Sequence, residues 1–220
     1  MSNSSLVNYT KISPNKTSPR NHKIDTITIH CVVGQLSVET MGSIFLRKSK
    51  KSSCNYAIGS DGRIGMYVEE KDRSWCSSNA ANDHRAITIE CASDTTHPYA
   101  INDKVYKSLI KLCTDICKRN GIKELKWKGD KSLIGKVKQQ NMTVHRWFAN
   151  KSCPGDYIYN RLGQIAEEVN NNLNPKKKTI EEVAKEVIKG LWGNGADRKA
   201  RLKKAGYDYK KVQQKVNDLL

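Results

Sequence analysis

Two short stretches share one pattern. Ile27-Thr28-Ile29-His30 and Ile87-Thr88-Ile89-Glu90 alternate apolar and polar residues, and each ends on a group that can carry chemistry. Alternation with period two marks a strand whose two faces differ. Ile27 and Ile29 therefore share one face, and Thr28 and His30 the other. The same parity sets Thr88 and Glu90 opposite Ile87 and Ile89. If the two strands are neighbours in one sheet, an imidazole and a carboxyl project side by side. A second run, His145-Arg146-Trp147-Phe148-Ala149-Asn150-Lys151-Ser152-Cys153-Pro154-Gly155, adds an imidazole, an ammonium and a thiol.

Imidazole nitrogen and thiolate sulfur are donors that zinc takes. His30, His145 and Cys153 supply three, the count of a catalytic zinc site, whereas a structural site has four. The open position of such a site lowers the pKa of a water there to roughly 7. Glu90 would take the proton, and Lys151 would stabilise charge on the attacked oxygen. On spacing alone, plainer readings stand beside this one. A histidine at a strand end can be a hydrogen-bonded structural residue. Cys-Pro-Gly can be a packed thiol and a bend, and Glu90 a surface carboxylate paired with a lysine.

The elements that must hold these groups are legible as periodicities. Residues 24–30 and 86–91 read as strands, 55–59 and 64–68 as a hairpin around Ser60-Asp61-Gly62-Arg63, and 143–147 as a short strand. A helix is expected over 39–48. Ile101, Val105, Leu109, Leu112, Cys113, Ile116 and Cys117 fall at helical spacing, ended by Asn120-Gly121. Ile158, Leu162, Ile165 and Val169 mark a further helix. Residues 173–178, around Asn174-Pro175-Lys176-Lys177-Lys178, read as a polar linker. Thr179-Ile180-Glu181-Glu182 is a capping-box pattern. Beyond it, Ile180, Val183, Ala184, Val187, Ile188 and Leu191 mark one apolar face, Leu202 and Ala205 a short helix, and Val212, Val216, Leu219 and Leu220 another. The expected organisation is 1–172, a linker over 173–178, and a three-helix unit over 179–220.

Composition bounds the function classes. At 37% hydrophobic the chain can fill a core, and no apolar run approaches the roughly 18 residues of a membrane helix. Residues 1–20 are polar, hold Pro14 and Pro19, and lack the apolar stretch of a secretory signal. Synthesis in a cytosol is the expectation. The net charge is +17, of which +7 falls after residue 174, so the excess is not a basic tail. Such a balance suits a polyanionic partner: nucleic acid, an anionic membrane surface or an anionic wall. No helix-turn-helix, zinc-finger or aromatic sheet signature supports nucleic acid. The seven cysteines read mostly as buried thiols rather than a disulfide framework.

Taken together, Thr28-Ile29-His30, Asn55-Tyr56-Ala57-Ile58-Gly59-Ser60-Asp61-Gly62-Arg63-Ile64, Ala86-Ile87-Thr88-Ile89-Glu90 and Thr143-Val144-His145-Arg146-Trp147 through Cys153-Pro154-Gly155 resemble the zinc-dependent N-acetylmuramoyl-L-alanine amidases of the type-2 family. That family shares its fold with peptidoglycan recognition proteins. The motifs come in family order over residues 6 to 172, and the likeness is greatest to amidases of clostridial phages and prophages. The resemblance implies an α/β fold, a mixed central sheet flanked by helices, with a groove for glycan and stem peptide. It implies one catalytic zinc ion on His30, His145 and Cys153, with Glu90 activating water and Lys151 matching a lysine of some phage members. One position departs: where some members carry a catalytic tyrosine, this chain has Cys54, which leaves more of the burden on Glu90.

In the tail, Gly190-Leu191-Trp192-Gly193-Asn194-Gly195, Arg198, Leu202, Ala205-Gly206-Tyr207-Asp208-Tyr209 and Val212-Gln213 through Val216-Asn217 resemble a short cell-wall-binding repeat of certain phage lysozymes. It implies a small three-helix bundle that binds the glycan–peptide unit of peptidoglycan. Arg198 is the contact candidate, with Trp192 and Tyr207 as stacking surfaces or as core. The expected function is a phage endolysin that waits in the cytoplasm of the infected host and reaches the wall once the membrane is opened. A host autolysin of the same activity and a non-catalytic peptidoglycan binder are the alternatives.

Overall fold

A computed structural model describes residues 2–175 and 177–220. Met1 and Lys176, the latter within the expected linker, lie outside the described residues. The chain divides into two compact units, Met1–Asn174 and Pro175–Leu220.

The first unit is built on a six-stranded mixed sheet. Its strands are β1 (Tyr9–Thr10), β3 (Thr26–Cys31), β4 (Tyr56–Ile58), β5 (Ile64–Met66), β7 (Ala86–Cys91) and β8 (Met142–Val144), in spatial order β1-β5-β4-β7-β3-β8. β4, β7, β3 and β8 run parallel, and β5 turns back antiparallel to β4 through the Asp61-Gly62 turn. A two-stranded ribbon of β2 (Lys16–Thr17) and β6 (Arg73–Ser74) stands apart.

The two faces of the sheet differ in chemistry because the strands alternate. Ile27, Ile29, Ile58, Ile87, Ile89, Met142 and Val144 point to one side and join a single buried cluster. It is covered by α3 (Asp103–Asn120) and α5 (Leu162–Leu173), whose Leu109, Leu112, Ile116, Leu162, Ile165 and Val169 are buried. Truncating one of these isoleucines to alanine costs about 2–5 kcal/mol. α3 ends where Gly121 adopts φ 70, a left-handed cap that glycine takes without steric cost. Cys113 and Cys117 belong to this apolar face.

On the other side, α1 (Val38–Leu46) packs Val38, Met41 and Phe45 against Ala57, Cys54 and Tyr67. The rest of that face is polar and internally paired. Thr28 Oγ1 meets Thr143 Oγ1 at 2.7 Å, and Asn82 of α2 (Ala80–Arg85) donates to Thr28 at 3.0 Å and accepts from Thr143 at 2.9 Å. Thr88 pairs with Ser74 and Asn55. The hydroxyl and amide groups satisfy one another, so a buried polar face is tolerated.

Three expected elements differ in detail. The strand at 143–147 stops at Val144, and His145–Trp147 forms a 3-10 turn. The helix beyond Cys153 is two helices, α4 (Gly155–Tyr159) and α5, broken around Asn160 and Arg161. The helix expected over 39–48 ends at Leu46, and Lys48–Lys50 forms a 3-10 turn.

In the second unit, α6 (Ile180–Ile188), α7 (Gly195–Lys204) and α8 (Tyr209–Leu219) enclose Val183, Ala184, Val187, Leu202, Val212 and Val216. The capping box at Thr179 and Glu182 forms as its spacing predicts. The apolar faces are narrower than expected. Ile188, Leu191, Leu219 and Leu220 are exposed: Ile188 and Leu219 are the last residues of α6 and α8, and Leu191 and Leu220 lie beyond those ends.

Candidate functional site

β3 and β7 are adjacent and parallel, and their register sets Thr28 beside Thr88 and His30 beside Glu90. Both end residues therefore leave the polar face at the carboxyl end of the sheet, past the paired threonines. β8 flanks β3 on its other side and delivers His145 one residue after its end. The centroids of the His30 and His145 rings are 5.2 Å apart.

Cys153 is returned to this point by its own loop. The Arg146 N–H donates to the Cys153 carbonyl at 3.1 Å, and Arg146 Nη2 donates to Ser152 O at 2.6 Å and to Asp156 at 2.9 Å. Gly155 closes the turn at φ +78, where a Cβ would stand 2.7 Å from Tyr99 Cβ and 2.9 Å from Pro98 O. Only glycine admits that approach.

The result is a compact donor set. One ligand atom from each of His30, His145 and Cys153 lies within 4.8 Å of the others, and Cys153 Sγ is 3.3 Å from His30 Nδ1. Bonds of about 2.0–2.3 Å to one tetrahedral ion require ligand atoms roughly 3.3–3.8 Å apart. His30 is fully buried, and burial, with His145 beside it, lowers its pKa to about 3, so the imidazole is neutral and its lone pair free. His145 is lowered as well, by burial and by Lys151. The Cys153 thiol is pushed up by its hydrogen bond to Cys31, by burial and by Glu90, so its thiolate needs a cation. Two neutral imidazoles and a thiol that requires positive charge fit a zinc ion.

Glu90 keeps some exposed surface, but its Oε2 is buried without a partner, as is His30 Nε2. Burial raises its carboxyl to about 7, against a weak bond from Cys76 Sγ at 3.8 Å and the charge of Lys50. Lys151 lines the same groove, about 630 Å³ in volume, along with Trp75, Tyr99, Leu36 and Phe45.

The sequence-derived residues thus fall into two groups. Glu90, His145, Lys151 and Cys153 line one groove, and His30 is buried against His145 and Cys153. Tyr56 does not line it: it is buried, with its hydroxyl donating to Glu70 at 2.7 Å. Cys54 is buried under the sheet. Trp127 and Trp147 stack on each other at 5.0 Å, away from the groove lining, whereas Trp75 is part of it. In the second unit Trp192 and Tyr207 meet edge to face at 5.9 Å against the bundle core. Arg198 donates to Gly193 O at 2.9 Å and to Asn194 at 3.0 Å.

Several groove residues escaped sequence reasoning. Cys76 forms a second metal-capable group with His30 and Glu90. Lys50 lines the groove rather than facing only solvent. Among the described residues, the four non-glycine positions with positive φ are Val33 (54°), Lys51 (49°), Ser78 (61°) and Tyr99 (60°), and each lines the groove or an adjoining cleft. Backbone strain of this kind gathers at functional sites. No sequence periodicity announces it.

The chain is similar to known proteins in both of its units. The family model described as N-acetylmuramoyl-L-alanine amidase matches residues 20–156, and the CW_7 repeat model matches residues 181–220. The chain is 45% identical over 74 residues, 34% of its length, to the "Lysozyme" of Streptococcus phage Cp-7, and spans 21% of that protein. Among solved structures, it resembles a mutant endolysin from Bacillus subtilis (TM-score 0.54, 15% identity, 74% of this chain and 99% of that one). It also resembles PlyL (TM-score 0.55, 16% identity, 73% and 95%). The amidase LysC from Clostridium intestinale URNW gives a TM-score of 0.50 at 18% identity over 74% of this chain and 95% of that one. At these identities the structural likeness speaks to the fold.

Proposed function

The chain belongs to the N-acetylmuramoyl-L-alanine amidase family, and from that premise we propose that it is a peptidoglycan hydrolase of the endolysin type. It cuts the amide between the lactyl group of N-acetylmuramic acid and L-alanine of the stem peptide. The observation that carries this reading is the clustering of His30, His145 and Cys153, the last two lining an open groove together with Glu90.

His30, His145 and Cys153 would hold one zinc ion, which would polarise the scissile carbonyl and lower the pKa of a water toward neutrality. Glu90 accepts a proton from the attacking water and returns it to the leaving amine, so that water is consumed, the C–N bond breaks and an acid and an amine result. The Lys151 ammonium stabilises the negative charge developing on the carbonyl oxygen. Trp75 and Tyr99 offer flat surfaces for the glycan–peptide chain in a groove open to solvent.

Residues 179–220 bind the wall in this reading, a role supported by the match to the CW_7 repeat. Arg198 is the contact residue, with the half-buried rings of Trp192 and Tyr207 as stacking surfaces. The net charge of +17 suits walls carrying anionic polymers. No helix among the described residues is long and apolar enough to cross a membrane. A phage enzyme that reaches the wall from the host cytoplasm after membrane permeabilisation is the setting, supported by the likeness to a phage lysozyme.

The test is mass spectrometry of purified Gram-positive peptidoglycan after digestion. Free lactyl carboxyls and new L-alanine amino termini are expected. Glycosidic or cross-bridge cuts would assign another activity, and intact polymer would make the chain a binder.

A further inference from the structure

His145 is held from outside the groove as well as inside it. Its Nε2 lies 3.0 Å from Ser78 Oγ, 67 residues away in the chain. Ser78 is one of the four residues in the left-handed region, at φ 61. That conformation is sterically costly for a residue with a Cβ, so something over-determines it.

The loop that carries Ser78 is fastened at several points. Asp83 is buried, and its carboxylate accepts from the Cys76 N–H at 3.0 Å and the Ser77 N–H at 3.2 Å. Asn82 Nδ2 donates to Ser77 Oγ at 3.2 Å, and Asn79 caps α2 by accepting from the Asn82 N–H at 2.9 Å. Asn82 also closes the Thr28–Thr143 pair beneath the site. One short loop and one short helix thus tie Ser78 to the strands that deliver His30 and His145.

The chemistry of an imidazole completes the argument. A neutral ring has one N–H and one lone pair. With Nε2 engaged by Ser78, the nitrogen left to face His30 and Cys153 is Nδ1. We propose that Ser78 is a positioning residue for the metal site: its hydroxyl accepts the Nε2–H of His145, fixing the tautomer and ring plane that present Nδ1 to zinc. This rests on the zinc reading above. Partners of this kind typically change metal affinity by 10–100-fold when removed.

The test uses the full-length protein and two substitutions, Ser78→Gly and Ser78→Ala, with zinc affinity measured by competition against a chromophoric chelator. Glycine relieves the strained φ and alanine keeps it, but both lack the hydroxyl. Both are expected to weaken zinc binding at least tenfold. The metal-free melting temperature of the glycine variant should hold or rise. In the zinc-loaded wild type, ¹⁵N imidazole spectra should show His145 protonated at Nε2. If either folded variant binds zinc as tightly as the wild type, the inference is overturned, and loss in the glycine variant alone would assign the effect to loop flexibility. A wild type that binds no zinc would instead overturn the underlying site reading.

Discussion

His30 and Glu90 stand directly across from each other on adjacent parallel strands, and each keeps one buried polar atom, Nε2 and Oε2, without a protein partner. Native structures rarely leave such atoms unmet. Asp72 Oδ1, Arg73 Nε and Arg146 Nε share that status, so the convergence with His145 and Cys153, not the unmet atoms alone, singles out this pair.

Glu90→Gln preserves shape and removes the base. Wall lysis should fall by about 10²–10⁴-fold, with zinc content and melting temperature close to wild type. Comparable loss of zinc in the variant would make Glu90 a ligand or support rather than a proton acceptor.

Removing the metal with a strong chelator should abolish lysis, and stoichiometric zinc should restore it. The circular dichroism of the amide region should barely change, because the isoleucine-rich core lies on the opposite face of the sheet from the site. Cys153→Ala should lose both zinc and activity.

Arg20 is buried, and its guanidinium donates to backbone carbonyls of Glu70, Asp72, His84 and Ala86 at 2.6–3.2 Å. Arg20→Ala strands those acceptors and should cost about 3–5 kcal/mol by chemical denaturation. Arg20→Lys should recover little, since one ammonium cannot span the same fork. Near-complete recovery by lysine would show that charge alone matters.

Asp72, just before β6, ties that strand to Lys16 of β2 at 2.6 Å. Burial opposes ionisation of its carboxyl, yet Lys16 and neighbouring charges hold it below its ordinary value. A depressed folded-state pKa adds stability above the unfolded value, about 3.9, and that stability is lost as pH falls through the folded one. Asp72→Asn should therefore lower stability at pH 7 and flatten its acid dependence. An unchanged slope below pH 4 would remove Asp72 from the acid transition.

Positive charge should aid attachment to anionic walls. Raising the salt from about 0.05 to about 0.5 M shortens the screening length severalfold and should weaken binding of an inactive Glu90→Gln protein to purified walls. Binding insensitive to salt would leave the work to specific contacts in residues 179–220.

His30 was legible because its strand alternates cleanly, whereas His145 follows a short strand and Cys153 closes a Cys-Pro-Gly turn, so the full donor set rested on the family resemblance. The neighbour relation of β3 and β7 was implied by their matching pattern, and the register then followed. What lay beyond reach depends on loops that meet only after folding. Ser78 and Asp83 sit in a polar stretch with no periodicity, and nothing in the sequence sets Lys50 apart from the other lysines. The break between α4 and α5 was hidden because the apolar spacing continues through it. Ile188 and Leu191 carry a helical pattern past the point where a partner exists to cover them.

Val33, Lys51, Ser78 and Tyr99 have a practical consequence for anyone seeking a tougher enzyme. Each would be relaxed by glycine, so a search guided by melting temperature alone would drift toward the rim of the groove. Gains collected there would come from slackening the frame that aims the reactive groups, and heat tolerance and turnover should move in opposite directions at these four positions.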